Sequence, residues 1–137
     1  MLALVLAAAP AVADETWLLG PGASYHFKRD GYNELHLGGG AEWRGKDDAF
    51  AVFAQDNSYN QLSVYAAWSR QPWRVGKTRV GGMAGLANGY GKGRREHRVS
   101  QLQPFVGLSA SLDLGSWGLN VAVLPNLIFV QTKWSLR

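Results

Sequence analysis

Along most of this chain, apolar and polar residues alternate with the two-residue period of a half-buried β-strand. Over residues 62–70, Leu62, Val64, Ala66 and Trp68 share one side, and Ser63, Tyr65, Ala67 and Ser69 share the other. Over residues 32–44, Leu35, Leu37, Gly39, Ala41 and Trp43 oppose Glu34, His36, Gly38, Gly40, Glu42 and Arg44. The same pattern recurs over residues 78–88, 104–114, 117–124 and 127–136, and more briefly over 24–29 and 49–54. Eight strands are predicted. Residues 14–22 read as a lead-in, Asp30-Gly31 as a turn pair, and 45–48 and 70–73 as short turns. The most polar tip is Gln55-Asp56-Asn57-Ser58-Tyr59-Asn60-Gln61, which carries more hydrogen-bonding groups than a turn requires.

An even number of strands, with tight turns alternating with longer, chemically richer connections, is the organisation of an outer-membrane barrel. The fold class expected is all-β: an eight-stranded antiparallel transmembrane β-barrel. Its polar faces would line a lumen in which glycine, alanine and serine relieve crowding. The six tryptophans, Trp17, Trp43, Trp68, Trp73, Trp117 and Trp134, read mostly as an aromatic girdle near the short turns. A soluble sandwich or lipocalin-like barrel is the competing architecture, although it calls for larger residues inside. No run after the N-terminal stretch is long and apolar enough for a spanning helix, a criterion to which barrel strands are blind.

Residues 2–9 are uninterruptedly apolar, and Ala11-Val12-Ala13 precedes Asp14-Glu15. This reads as a signal peptide over 1–13, cut at an A-x-A site, with a single barrel domain over 14–137. The basic segment expected before the apolar run is missing, which points to a start upstream of Met1 or to a weak export signal; the well-formed apolar run and cleavage site favour the former. The chain has no cysteine, so it has no disulfide framework and no thiol chemistry, and three scattered histidines make a poor zinc set. No metal or other cofactor is expected. A net charge of +4 suits an anionic partner, such as phosphorylated lipid head groups or nucleic acid, or none. An exported barrel does not meet nucleic acid, and aromatics are not interleaved with the arginines, so nucleic acid is set aside.

Three constellations carry candidate chemistry. His26 with Asp56, Asn57 and Ser58 supplies a base, a hydroxyl and an orienting group, the set that acyl transfer needs; His36 or His97 could take the place of His26. A polar histidine at the water boundary and an ordinary Asx-rich turn would look the same. Lys92, Arg94, Arg95 and Arg98 form a basic loop suited to lipid phosphates, or simply a solvated one. Pro104 and Pro125, which cannot donate to a strand ladder, mark a lateral gate or merely strand ends.

Taken in order, Tyr32-Asn33-Glu34, Gly38-Gly39-Gly40, Asn57-Ser58-Tyr59-Asn60, Trp73, the glycine-rich fifth strand, Pro104, Pro125 and the closing aromatic strand resemble the lipid A palmitoyltransferase (PagP-like) family of small outer-membrane barrels. The resemblance spans residues 25–137. It implies transfer of an acyl chain from a phospholipid to lipid A in the outer membrane of a Gram-negative cell, by a monomer whose lipids enter beside the prolines. Ser58 corresponds to the family's serine, and His26 to its histidine with a shorter first outer loop. Asn57 stands where the family has aspartate, with Asp56 one residue earlier. A non-catalytic outer-membrane barrel that binds lipopolysaccharide or serves a structural role is the alternative.

Overall fold

The computed structural model describes residues 13–28, 31–89 and 102–136. Nine β-segments appear among them: β1 (Glu15–His26), β2 (Leu35–His36), β3 (Gly38–Arg44), β4 (Asp48–Asp56), β5 (Leu62–Val75), β6 (Thr78–Ala87), β7 (Gln103–Asp113), β8 (Trp117–Val123) and β9 (Leu127–Ser135). Segments β2 and β3 pair in turn with the upper and lower halves of β1, so together they act as one strand. Every neighbour in the chain pairs antiparallel, and β1 also pairs with β9 from Trp17↔Ser135 to His26↔Leu127. That last ladder closes the sheet into an eight-stranded barrel.

The short turns at 45–47, 76–77 and 114–116 gather at one end, here called the lower end. Gly76 and Gly115 have φ of +60° and +90° there, a left-handed backbone that glycine adopts freely. Residues 27–28, 31–34, 57–61, 88–89, 102 and 124–126, which lead into or form the longer connections, lie at the upper end, as the sequence pattern predicts. The expected export signal and the basic loop lie outside the described residues, apart from Ala13.

Two boundaries differ from the sequence reading, and both conceal a β-bulge. The first strand begins at Glu15, not residue 24, and its register with β9 shifts between Leu19 and Gly22. Trp17 and Leu19 face the lumen below the bulge, and Ser24 and His26 face it above. The irregularity at Gly20-Pro21 changes the face on which residues alternate, so the segment does not look like a strand in sequence. The fourth strand likewise runs on to Val75, past the turn expected at 70–73. Its register shift between Arg70 and Trp73 turns Trp73 outward, and Gly81 opposite accommodates it, since a Cβ there would collide with Arg70 O and Gln71 Cα.

The lower lumen is filled by charge. Arg44 and Lys133 are 1% and 0% exposed. Arg44 donates to Glu42 Oε1 from Nη2 (2.8 Å) and Nε (3.1 Å), and to Gln71 Oε1 and Ser111 Oγ, each at 2.9 Å. Lys133 Nζ pairs with Asp113 Oδ1 at 2.7 Å, donates to Ser111 Oγ at 2.6 Å and lies 4.3 Å from the centre of the Trp17 ring. Asn120 donates to Glu42 Oε2 at 2.7 Å. Buried ions are tolerated only when paired and hydrogen-bonded, and these are shared among β3, β5, β7, β8 and β9. Trp17 is thus a lumenal packing residue, not part of a girdle. The other face of the sheet is apolar and open: Leu37, Leu62, Trp68, Trp73, Val106, Leu108, Trp117 and Trp134 are all exposed. A continuous apolar exterior around a polar interior inverts the arrangement of a water-soluble domain and suits lipid.

Replacing Glu42 by alanine leaves Arg44 and Lys133 short of their shared partner. The expected loss is about 3–5 kcal/mol in reversible urea unfolding from lipid vesicles. A variant within ~0.5 kcal/mol of the parent would mean that the plug does not hold the barrel together. Leu108→Arg, at mid-height on the outer face of β7, is expected to cost about 2–4 kcal/mol in the same assay. If Leu108→Arg cost no more than Ser116→Arg in the lower turn, the belt would not lie in hydrocarbon.

Candidate functional site

Above the plug the lumen opens into a cavity of about 810 Å³. Ala51, Phe53, Tyr65, Ala67, Phe105 and Phe129 form its apolar middle, while Arg44, Glu42 and Gln71 form its floor. Phe53 and Tyr65 stack at 4.8 Å between ring centres. Gln55 is buried in the wall, and its Oε1 has no hydrogen-bond partner among the described residues. The mouth is polar and is lined by Ser24, His26, His36 and Ser58.

His26, the last residue of β1, and Ser58, in the 57–61 tip, come together there with Nε2 2.9 Å from Oγ. Both are buried. Their meeting depends on Tyr32-Asn33-Glu34, which lies between the two segments. Asn33 N donates to Ser58 O at 2.9 Å, and Asn33 Nδ2 donates to Asn57 O at 3.2 Å, docking the first upper connection on the tip. The Tyr32 ring stacks on the His26 ring at 4.5 Å, with Tyr59 edge-on to it at 5.7 Å. Glu34 Oε1 accepts from His26 N at 3.4 Å and lies 3.9 Å from His26 Nδ1. The carboxylate beside the imidazole is therefore Glu34, a residue the sequence reading did not assign to the site.

Asn57 takes a different part from the orienting one expected of it. Its Oδ1 accepts from Tyr59 N (2.8 Å) and Gln61 N (3.1 Å), while Nδ2 donates to Ser63 Oγ (2.9 Å) and Gly89 O (3.1 Å). Fully buried, the amide uses both donors and its acceptor to shape the tip and tie it to β5 and to the end of β6. Asn60 completes the turn with φ +58°, a left-handed conformation that asparagine tolerates. Asp56 pairs across the β4–β5 ladder with the exposed Leu62, so it shares the outer face and points away from His26.

A second histidine occupies the same mouth. His36 Nδ1 is 2.6 Å from Asp56 O, and Nε2 is 2.7 Å from Ser24 Oγ. A carbonyl only accepts, so Nδ1 carries the proton, and Nε2 offers its lone pair to the serine hydroxyl. Ser24 lies two residues before His26 on the same face of β1, a relation legible from strand periodicity alone. The placement of His36 beside it was not legible, because it depends on the bulge in β1.

Both prolines lie at the upper end. Pro104 pairs with Leu86 on the β6 side of β7. On the other side the β7–β8 ladder stops at Leu108↔Val123, so residues 103–107 have no ladder partner in β8. Pro125 lies in the 124–126 connection between β8 and β9. Lys92, Arg94, Arg95 and Arg98 lie outside the described residues.

No family model and no curated protein matches the sequence. Solved structures do. One, from work titled as the de novo design of transmembrane β-barrels, superposes with a TM-score of 0.65 over 89% of this chain and 96% of its own, at 12% identity. A second, a de novo designed barrel solved by solution NMR, gives a TM-score of 0.62 over 91% and 97%, at 11% identity. At that identity the likeness is one of fold: this chain has the closed eight-stranded architecture of transmembrane β-barrels.

Proposed function

We propose that this barrel spans the outer membrane of a Gram-negative cell as a monomer and transfers a fatty acyl chain from a phospholipid to lipid A. The observation that carries the reading is the buried His26–Ser58 pair, 2.9 Å apart at the polar mouth of an apolar cavity. Acyl transfer between lipids needs an apolar slot for the chain and, at its entrance, a base and a hydroxyl near the ester. The cavity provides the first, with Phe53, Tyr65, Phe105 and Phe129 around the chain and the charged plug as its lower limit. His26 takes the proton of the acceptor's sugar hydroxyl as that oxygen attacks the ester carbonyl, and returns it to the departing lysophospholipid oxygen. Ser58 holds the reacting group against Nε2. Glu34 favours the imidazolium that forms, as the carboxylate of a catalytic triad does.

The missing β7–β8 pairing around residues 103–107 offers the donor a route from the membrane, since a chain leaves the bilayer sideways more readily than through the head-group layer. Pro104 and Pro125 keep that route open because neither can donate a ladder hydrogen bond. The basic stretch at Lys92, Arg94, Arg95 and Arg98, which follows β6 and precedes β7 in the sequence, suits the phosphates of lipid A. No metal or cofactor is called for in this chemistry.

Expression behind a complete signal peptide in a Gram-negative host should yield lipid A heavier by one acyl chain in its mass spectrum. Ser58→Ala and His26→Asn should each remove that species while leaving a folded barrel whose gel mobility shifts only after boiling. Loss of an acyl chain would identify a deacylase, and an unchanged spectrum from an inserted barrel would favour a barrel that binds lipopolysaccharide or serves a structural role. Glu34→Gln should lower the rate about 10- to 100-fold while the fold persists. By contrast, Asn57→Asp replaces the amide donor to Ser63 and Gly89 by a carboxylate. It should destabilise the barrel by about 1–3 kcal/mol without raising activity. A faster Asn57→Asp enzyme would return the orienting role to position 57.

A further inference from the structure

We infer that Ser24 is a nucleophile in its own right, activated by His36, and that it accepts the acyl group of a lipid ester as a covalent intermediate. The inference rests on the acyl-transfer reading only for the class of ester.

The geometry at Ser24 is more completely defined than that at Ser58. Asp56 O, at 2.6 Å, can only accept, which places the proton of His36 on Nδ1 and leaves Nε2 basic. The Ser24 hydroxyl then donates to Nε2 at 2.7 Å. A serine, an imidazole and an acceptor that fixes the tautomer form the arrangement that activates a hydroxyl for attack, with a backbone carbonyl in place of the usual carboxylate. Three elements hold it: Ser24 on β1, His36 on β2 and Asp56 at the end of β4. Leu37 O accepts from Asp56 N at 3.0 Å, which clamps the carbonyl in place, and the Phe129 ring packs edge-on to His36 at 5.8 Å. Ser24 and His36 are both buried from bulk water and both line the cavity, so their free approach is from the side of the acyl chain.

In the first half-reaction the Ser24 proton passes to His36 Nε2 as Oγ bonds to the ester carbonyl carbon. The bond from that carbon to the glycerol oxygen breaks, and this oxygen takes the proton from His36 and leaves as the lysophospholipid. The second half reverses the sequence. A hydroxyl gives its proton to His36 Nε2, its oxygen bonds to the acyl carbon, and Ser24 Oγ departs and recovers the proton. Residues 24 and 26 are about 7 Å apart along one face of the strand. A sugar hydroxyl held at His26 and Ser58 therefore lies within reach of an acyl group on Ser24. Water in its place gives hydrolysis.

The test is to treat the full-length barrel in detergent micelles with a hexadecyl fluorophosphonate and to locate any adduct by peptide mass spectrometry. A phosphonate on Ser24 is expected. His36→Gln, checked for folding by its heat-dependent gel mobility, should slow labelling about 100-fold or more. Ser24→Ala should abolish it. No adduct, or an adduct on Ser58 alone, overturns the inference, and so does labelling of Ser24 at an unchanged rate in His36→Gln. The mapping needs only the parent protein, so a variant that fails to fold does not protect the idea. Lipid A that gains a chain in cells while Ser24 stays unlabelled would defeat this inference and leave the acyl-transfer reading standing. Ser24 labelled with lipid A unchanged would do the reverse and leave an esterase.

Discussion

The bulge at Gly20-Pro21 is the constraint on which the rest of this structure depends. Strand β1 is paired on both sides, with β2 and β3 on one flank and β9 on the other, and so it is the strand that closes the barrel. Without the irregularity, a chain that turns Trp17 and Leu19 inward would turn Ser24 and His26 outward into the apolar belt. One displaced register lets the same strand pack Trp17 against Lys133 below and present a serine and a histidine to the lumen above. Gln131 and Thr132 of β9 secure the bulge by donating to Gly20 O at 3.3 Å and to Pro21 O at 2.8 Å.

The lumen is divided by chemistry. Its lower half satisfies charges with one another; each of the large polar side chains there finds partners on other strands, and the cluster ties non-adjacent strands together across the barrel. Its upper half is left open and is walled by small or aromatic residues. Such a division is expensive in packing terms, because an unfilled apolar volume forgoes dispersion contacts. The hydrogen-bonded plug and the long ladders of β3 to β7 offset it. The β7–β8 ladder stops at Leu108↔Val123, beside the open half.

The site at the mouth is assembled by loops that brace one another. Asn33 grips the 57–61 tip through Ser58 O and Asn57 O, Asn57 grips Ser63 and Gly89, and Tyr32 covers the His26 ring. Buried amides saturated in this way hold a turn in a single conformation, which positions Ser58 against His26 more narrowly than a free loop would. Two imidazoles then face one cavity, each with its own serine.

Strand alternation, the even strand count and the grouping of longer connections at one end were all legible in the residues, because a two-residue period is written directly into the order of side chains. The pairing of His26 with Ser58 was legible as a constellation, since both lie at connections assigned to the same rim. The two bulges were not, for an inserted residue removes the very periodicity by which a strand is recognised. Nor were the placement of Glu34 beside His26 and the hydrogen bonding of Asn57 within its own tip: hydrogen-bond partners are set by which side chains meet after the loops fold back, and no spacing along the chain encodes that a residue eight positions after His26 returns to its ring. Sequence alone determined a closed sheet with a polar interior and a polar upper rim. Only tertiary structure decided which faces β1 presents, because that depends on a shift in register against β9 more than a hundred residues away.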